Sequence, residues 1–159
     1  MALLSYYKAF TRNGLLWSNG VVVSCTPTMA YCASGATNST NSEIENVTLV
    51  GYSSTISNNT TNACTTGVNN YTAMSADLAV GGSYTLTVEF GDCNGGTQYN
   101  GAGGVWIDWN NDGDFDDAGE RVLVTTAKKS PWTGSITIPA NAPIGKTRMS
   151  KALKLPGIG

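Results

Sequence analysis

The residues able to do chemistry are concentrated in one stretch, Asp108-Trp-Asn110-Asn-Asp112-Gly113-Asp114-Phe-Asp116-Asp117-Ala-Gly-Glu120. It holds six of the eleven acidic residues of the chain. Carboxylates at this density repel one another unless a cation lies among them. Oxygen-bearing side chains recur at every second position, and Gly113 stands sixth, as in a loop wrapped around Ca²⁺. In that pattern Asp108, Asn110 and Asp112 offer side-chain oxygens and Asp114 its backbone carbonyl. Gly113 permits the sharp turn and Asp116 closes the shell. Glu120, at the end of the stretch, completes the candidate ligand set. The competing reading is a solvated acidic turn between two strands.

Other chemistries find little support. The chain has no histidine, which excludes Ser-His-Asp and Cys-His arrangements. A glycosidase-type carboxylate pair would have to come from Glu43, Glu45, Asp77, Glu89 and Asp92, of which Glu89 and Asp92 fall at ordinary surface positions. Gly101-Ala-Gly-Gly104 lacks both the spacing of a phosphate loop and its lysine. The sequence therefore reads as non-enzymatic. Trp106 and Trp109 could form a platform for stacking sugars, or could pack a hairpin.

The surrounding chain must position this loop. With 159 residues and 13% charged residues, it can bury one core as a single domain. Its abundance of Gly, Asn, Ser and Thr favours short strands and turns over helices. No apolar run is long enough to span a membrane. The net charge of −2 masks a basic remainder: without the acidic stretch, five acids face nine bases. Those bases are sparse and lack interleaved aromatics, so nucleic acid is not an expected partner.

Ser83 to Phe90 alternates most cleanly, with Tyr84, Leu86, Val88 and Phe90 toward a core and Ser83, Thr85, Thr87 and Glu89 toward water. Further strands are expected at Glu43–Val50, near Ile56, at Val105–Trp109, Arg121–Thr126 and Gly134–Pro139, and from Lys146 onward. Gly91 to Gly104 reads as a glycine-rich loop. One wet and one dry face per strand implies antiparallel sheets packed in two layers. The expected fold is an all-β antiparallel sandwich, jelly-roll or immunoglobulin-like, with the calcium loop between two strands. Residues 25–159 would form it. Residues 1–24, two β-prone pieces around Ser18-Asn19-Gly20 without the apolar core of a secretory signal, stand apart as an extension.

Four cysteines, Cys25, Cys32, Cys64 and Cys93, contain no CxxC pair and read as two disulfides, which places the protein outside the cell. Of three pairings, Cys25–Cys32 and Cys64–Cys93 close local loops. Asn38, Asn46, Asn58, Asn59 and Asn70 lie in glycosylation sequons.

At Glu43-Ile-Glu-Asn-Val-Thr-Leu-Val-Gly51, Tyr84-Thr-Leu-Thr-Val88, Val105-Trp-Ile-Asp-Trp-Asn110, Asp112-Gly-Asp-Phe-Asp116 and Ile138-Pro-Ala-Asn-Ala-Pro143, the sequence resembles the GEVED domain. The resemblance spans roughly residues 31–150. It implies an extracellular sandwich module of secreted bacterial proteins, often from Bacteroidetes-like organisms, in which Asp108, Asn110, Asp112, Asp114 and Asp116 match the acidic loop. The Gly-Glu-Val-Glu-Asp segment of that family does not follow Arg148-Met149 here. A sandwich short of that strand would have an open edge. Residues 1–24 could fill the gap in a neighbouring copy, giving self-association into a filament. The alternative expectation is an accessory module that binds surface glycans.

Overall fold

In the computed structural model, residue 31 and residues 43–60, 69–92 and 100–154 are described, with no side-chain description for 152–154. The expectations for residues 1–24 and for Cys25, Cys32, Cys64 and Cys93 lie outside these residues.

Among the described residues seven strands form: β1 (Glu43–Val50), β2 (Thr55–Asn59), β3 (Ser83–Gly91), β4 (Gly101–Ile107), β5 (Arg121–Lys128), β6 (Trp132–Thr137) and β7 (Met149–Lys154). They make two antiparallel sheets, ordered β2-β1-β3-β6 and β5-β4-β7. The all-β sandwich read from the sequence is the fold observed. Alternation produces it: Leu86, Val88 and Phe90 of β3 are buried beside Val47 and Leu49 of β1. Trp132 and Ile136 of β6 face Val105 and Ile107 of β4 in the same core. Phe90 and Trp132 meet with ring centroids 4.7 Å apart, a tilted packing that adds to their area burial. Tyr84 is only half-buried, and its hydroxyl accepts from the Ala79 N–H at 2.7 Å.

One segment departs from expectation. Gly101-Ala-Gly-Gly104 is not loop but the first half of β4. Its glycines are used for close approach, because a Cβ on Gly104 would lie 2.9 Å from the Trp106 ring and 3.0 Å from the Leu123 carbonyl. Glycine in a strand of this kind marks a place where another group must come near the backbone.

The crossing from β2 to β3 is tied down at Asp77. Its carboxylate accepts from the backbone N–H of Ser53 (2.9 Å) and Ser54 (2.7 Å) and from both serine hydroxyls (2.6 and 2.8 Å). A Cβ on Gly51 would lie 2.5 Å from the Asp77 carbonyl oxygen, so the turn closes only around glycine. The Ser53 hydroxyl and then the backbone amides favour the ionised form and hold the Asp77 carboxyl far below the usual carboxylate range. Its contribution is complete above the unfolded-state pKa near ~4 and is lost as pH falls below that. Asp77→Asn should lower the melting temperature by several degrees at pH 7. It should also flatten the acid limb of a urea-midpoint series below pH ~4.

Lys151 is the unusual residue of β7. It pairs with Val105, whose side chain is in the core, so the lysine sits on the inner face of the three-stranded sheet. Its ammonium lies 5.4 Å from the Tyr71 ring centroid. Burial brings its pKa down to about 8, because desolvation penalises the charged form. A lowered lysine pKa means the unfolded chain binds more protons between pH 8 and the unfolded value near ~10.4, so stability rises with pH through that window. Lys151→Met should stabilise the protein by about 1 kcal/mol at pH 7. That advantage should vanish by pH ~11 in paired urea titrations.

Candidate metal-binding loop

The acidic stretch connects β4 to β5, as the strand–loop–strand reading requires. Both ends of the loop are pinned by backbone. The Ile107 N–H donates to the Glu120 carbonyl at 2.8 Å and the Asp108 N–H to the Arg148 carbonyl at 3.0 Å. The Thr147 hydroxyl donates to the Asp108 carbonyl.

Asp108 organises the interior of the loop. It is fully buried, and Oδ1 accepts from the N–H groups of Asn111 (2.6 Å) and Asp112 (3.2 Å). Oδ2 accepts from the Gly113 N–H at 3.1 Å and from the Tyr31 hydroxyl at 2.8 Å. Two positive φ values allow this curl, at Asn111 (63°) and Gly113 (101°); asparagine and glycine are the residues that tolerate them. From Asn110 onward the chain advances by two-residue turns. The Asp112 N–H donates to Asn110 Oδ1, the Asp114 N–H to Asp112 Oδ1 and the Asp116 N–H to Asp114 Oδ1.

Glu120 closes the far side. It is 1% exposed, and its carboxylate accepts from the Trp109 N–H at 2.8 Å and the Asp117 N–H at 3.4 Å. Burial pushes its carboxyl up, against the downward pull of those amides.

The carboxylates brought together are Asp112, Asp114 and Asp117, all exposed and within 4.8 Å of one another. Carboxylate oxygens this close together can share one Ca²⁺, whose ligand oxygens lie about 2.3–2.6 Å from the ion. The donors are oxygen only, a set that suits a hard cation and not zinc. The Asn110 amide nitrogen bridges Asp112 (2.8 Å) and Asp117 (2.5 Å), placing its partial positive charge where the two carboxylates converge.

Against the six residues expected from spacing, Asp112 and Asp114 lie in the cluster and Asn110 borders it. Asp116 is exposed and outside the cluster, while Asp108 and Glu120 are buried and engaged by backbone amides. Asp117 was not singled out by the spacing. The turn formed where the Glu120 N–H donates to the Asp117 carbonyl, with Gly119 at φ 93°, is what brings Asp117 round. Tyr31 is the other residue the spacing could not supply, being 77 positions from Asp108.

The two candidate sugar-stacking tryptophans separate. Trp109 is 8% exposed and belongs to the core, its indole N–H donating to the Gly119 carbonyl at 3.2 Å. It presents no face to a glycan, so that expectation is corrected for Trp109. Trp106 is half-buried and lies against Gly104, with the Arg121 guanidinium 5.5 Å from its ring centroid. The sequon at Asn58 is likewise corrected. That side chain is 3% exposed and its Oδ1 accepts from the Val47 N–H. Of the carboxylates weighed for catalysis, Asp77 is engaged in its serine turn, and Glu89 accepts from the Asn46 amide at 2.8 Å.

Two antiparallel sheets with an acidic loop between adjacent strands define the class: a β-sandwich module. Residues 103–153, from β4 through the acidic loop to β7, match the model of the GEVED domain. The match stops short of β1, β2 and β3, which the resemblance at Glu43–Gly51 and Tyr84–Val88 had included. No curated protein and no solved structure matches the chain.

Proposed function

We propose that this chain is a non-enzymatic, extracellular, calcium-stabilised sandwich that serves as a structural subunit, joining copies of itself into a surface filament. The calcium part rests on one observation, the convergence of the Asp112, Asp114 and Asp117 carboxylates within 4.8 Å of one another. Bound there, Ca²⁺ would neutralise the repulsion of the loop and fasten the β4–β5 connection. The family setting supports an extracellular address, since the resemblance is to modules of secreted bacterial proteins.

The assembly part draws on the strand count. A Cβ on Gly134 of β6 would lie 2.6 Å from the Leu123 side chain of β5, so these two strands flank the same side of the sandwich. The other side then has β2 at the end of the four-stranded sheet and β7 at the end of the three-stranded one. Among the described residues β7 pairs with β4 alone. A strand donated by residues 1–24 of a neighbour would make that sheet four-stranded too, and such head-to-tail contacts propagate. Electron microscopy of native material should show regular filaments that are lost on deletion of residues 1–24. A strictly monomeric protein, unchanged by the deletion, would sink the assembly proposal.

The second reading, an accessory glycan-binding module, is favoured by Trp106, whose ring lies along the small residue Gly104. Glycan-array binding abolished by Trp106→Ala would select it over the filament.

A further inference from the structure

Tyr31 lies twelve residues before β1 and is held from three sides. Its hydroxyl donates to Asp108 Oδ2 at 2.8 Å, its ring stacks on Phe115 with centroids 5.0 Å apart, and the Arg148 guanidinium lies 4.8 Å from its ring centroid. Asp108 and Phe115 belong to the acidic loop, and Arg148 directly precedes β7. The same Arg148 supplies the carbonyl that accepts from the Asp108 N–H. One side chain from outside the sandwich strands thus bridges the loop and the entry to the last strand. The pieces it touches are those whose positions decide where Asp112 and Asp114 fall, because Asp108 carries the N–H groups of Asn111, Asp112 and Gly113.

We infer that Tyr31 is a latch that couples its own seating against the loop to metal binding there, with Tyr31 a positioning residue acting through Asp108. The inference rests on the calcium reading above. Groups that orient a metal site from outside it commonly change affinity about 10–100-fold when removed. Coupling is reciprocal, so metal that favours the curled loop also favours Tyr31 seated against it.

The test uses the full chain and Tb³⁺, titrated by luminescence sensitised through the loop aromatics. Tyr31→Phe keeps the ring stack and removes the hydroxyl, and Arg148→Gln removes the cation over the ring without touching Asp108 Oδ2. Tyr31→Phe should weaken Tb³⁺ about tenfold, and Arg148→Gln should weaken it less. The rise in melting temperature on adding Ca²⁺ should be smaller in Tyr31→Phe than in the parent protein. Hydrogen exchange in peptides containing Tyr31 should slow with Ca²⁺ in the parent protein and respond less in Tyr31→Phe. Tb³⁺ binding with equal affinity in all three proteins overturns the latch and leaves the metal reading standing. A Tyr31→Phe melting loss of equal size with and without Ca²⁺ also overturns it, since that is what a purely structural contact gives. Failure of the parent protein to bind Tb³⁺ removes the metal reading and the latch together.

Discussion

Replacing Asp108 with alanine should destabilise the protein by about 3 kcal/mol or more, enough to remove a large part of the stability of an ordinary domain. Asp108 is 0% exposed, and its two oxygens accept from three backbone N–H groups and the Tyr31 hydroxyl. Hydrogen bonds to a charged acceptor each contribute about 1.5–3 kcal/mol, and some of the donors freed in the variant will recover water. The total therefore falls well below the simple sum. Asp108→Asn is the informative companion. One amide oxygen can still serve Asn111 and Asp112, but the nitrogen that replaces Oδ2 turns a donor toward the Gly113 N–H and the Tyr31 hydroxyl. Chemical denaturation followed by tryptophan fluorescence should rank parent above Asn above Ala. An alanine variant within about 1 kcal/mol of the parent would mean that the loop does not depend on its buried carboxylate.

The second large effect is that of calcium itself. If the loop binds Ca²⁺ and the ion is present at about 100 times its Kd, the folded state gains about 2.7 kcal/mol. For a chain of 159 residues that corresponds to roughly 5–10 °C in melting temperature. Excess chelator should remove this increment, and Asp112→Ala should lower the calcium-loaded melting temperature while abolishing the response. Asp116 and Asp117 make the test sharper. Spacing along the sequence favours Asp116 as a ligand, whereas the folded loop groups Asp117 with Asp112 and Asp114. Asp117→Ala should lose the calcium response and Asp116→Ala should keep it. The reverse result would return the ligand set to the one the spacing suggests, and an unchanged melting curve in chelator would remove the metal from the account.

That contrast shows where a one-dimensional reading stops. Alternation carried the strands: the inward residues Leu86, Val88 and Phe90 needed only a period of two, and all three are buried. The turn at Asp112-Gly113 was legible for the same reason, since glycine at a fixed place in an acidic repeat has a local cause. The choice between Asp116 and Asp117 has no such local cause. It depends on Glu120, which receives the Asp117 N–H and returns its own to the Asp117 carbonyl, and so brings Asp117 round toward Asp112 and Asp114. Tyr31 was out of reach because its partners are distant in sequence and no repeat connects them. Trp106 and Trp109 are separated by a register effect. Trp109 keeps the parity of the core residues Val105 and Ile107, and Trp106 takes the opposite one. The glycine run at Gly101–Gly104 misled because low side-chain content resembles a loop, whereas here it makes room for the Trp106 ring.

The buried amide of Asn58 matters to anyone who makes this protein in a eukaryotic secretory pathway. Asn58-Asn59-Thr60 is a consensus acceptor, yet in the finished fold the Asn58 side chain is 3% exposed and bonded to β1. Oligosaccharyltransferase meets nascent chain before β1 and β2 have zipped together. A sugar attached then would occupy the space in which Asn58 must close on Val47, and the two strands could not take their register. Material from such a host should divide into an unmodified folded fraction and a glycosylated fraction retained by quality control. Thr60→Ala would remove the Asn58 acceptor, but it also deletes a hydroxyl that donates to the Glu45 carbonyl at 3.0 Å. A bacterial host avoids that choice.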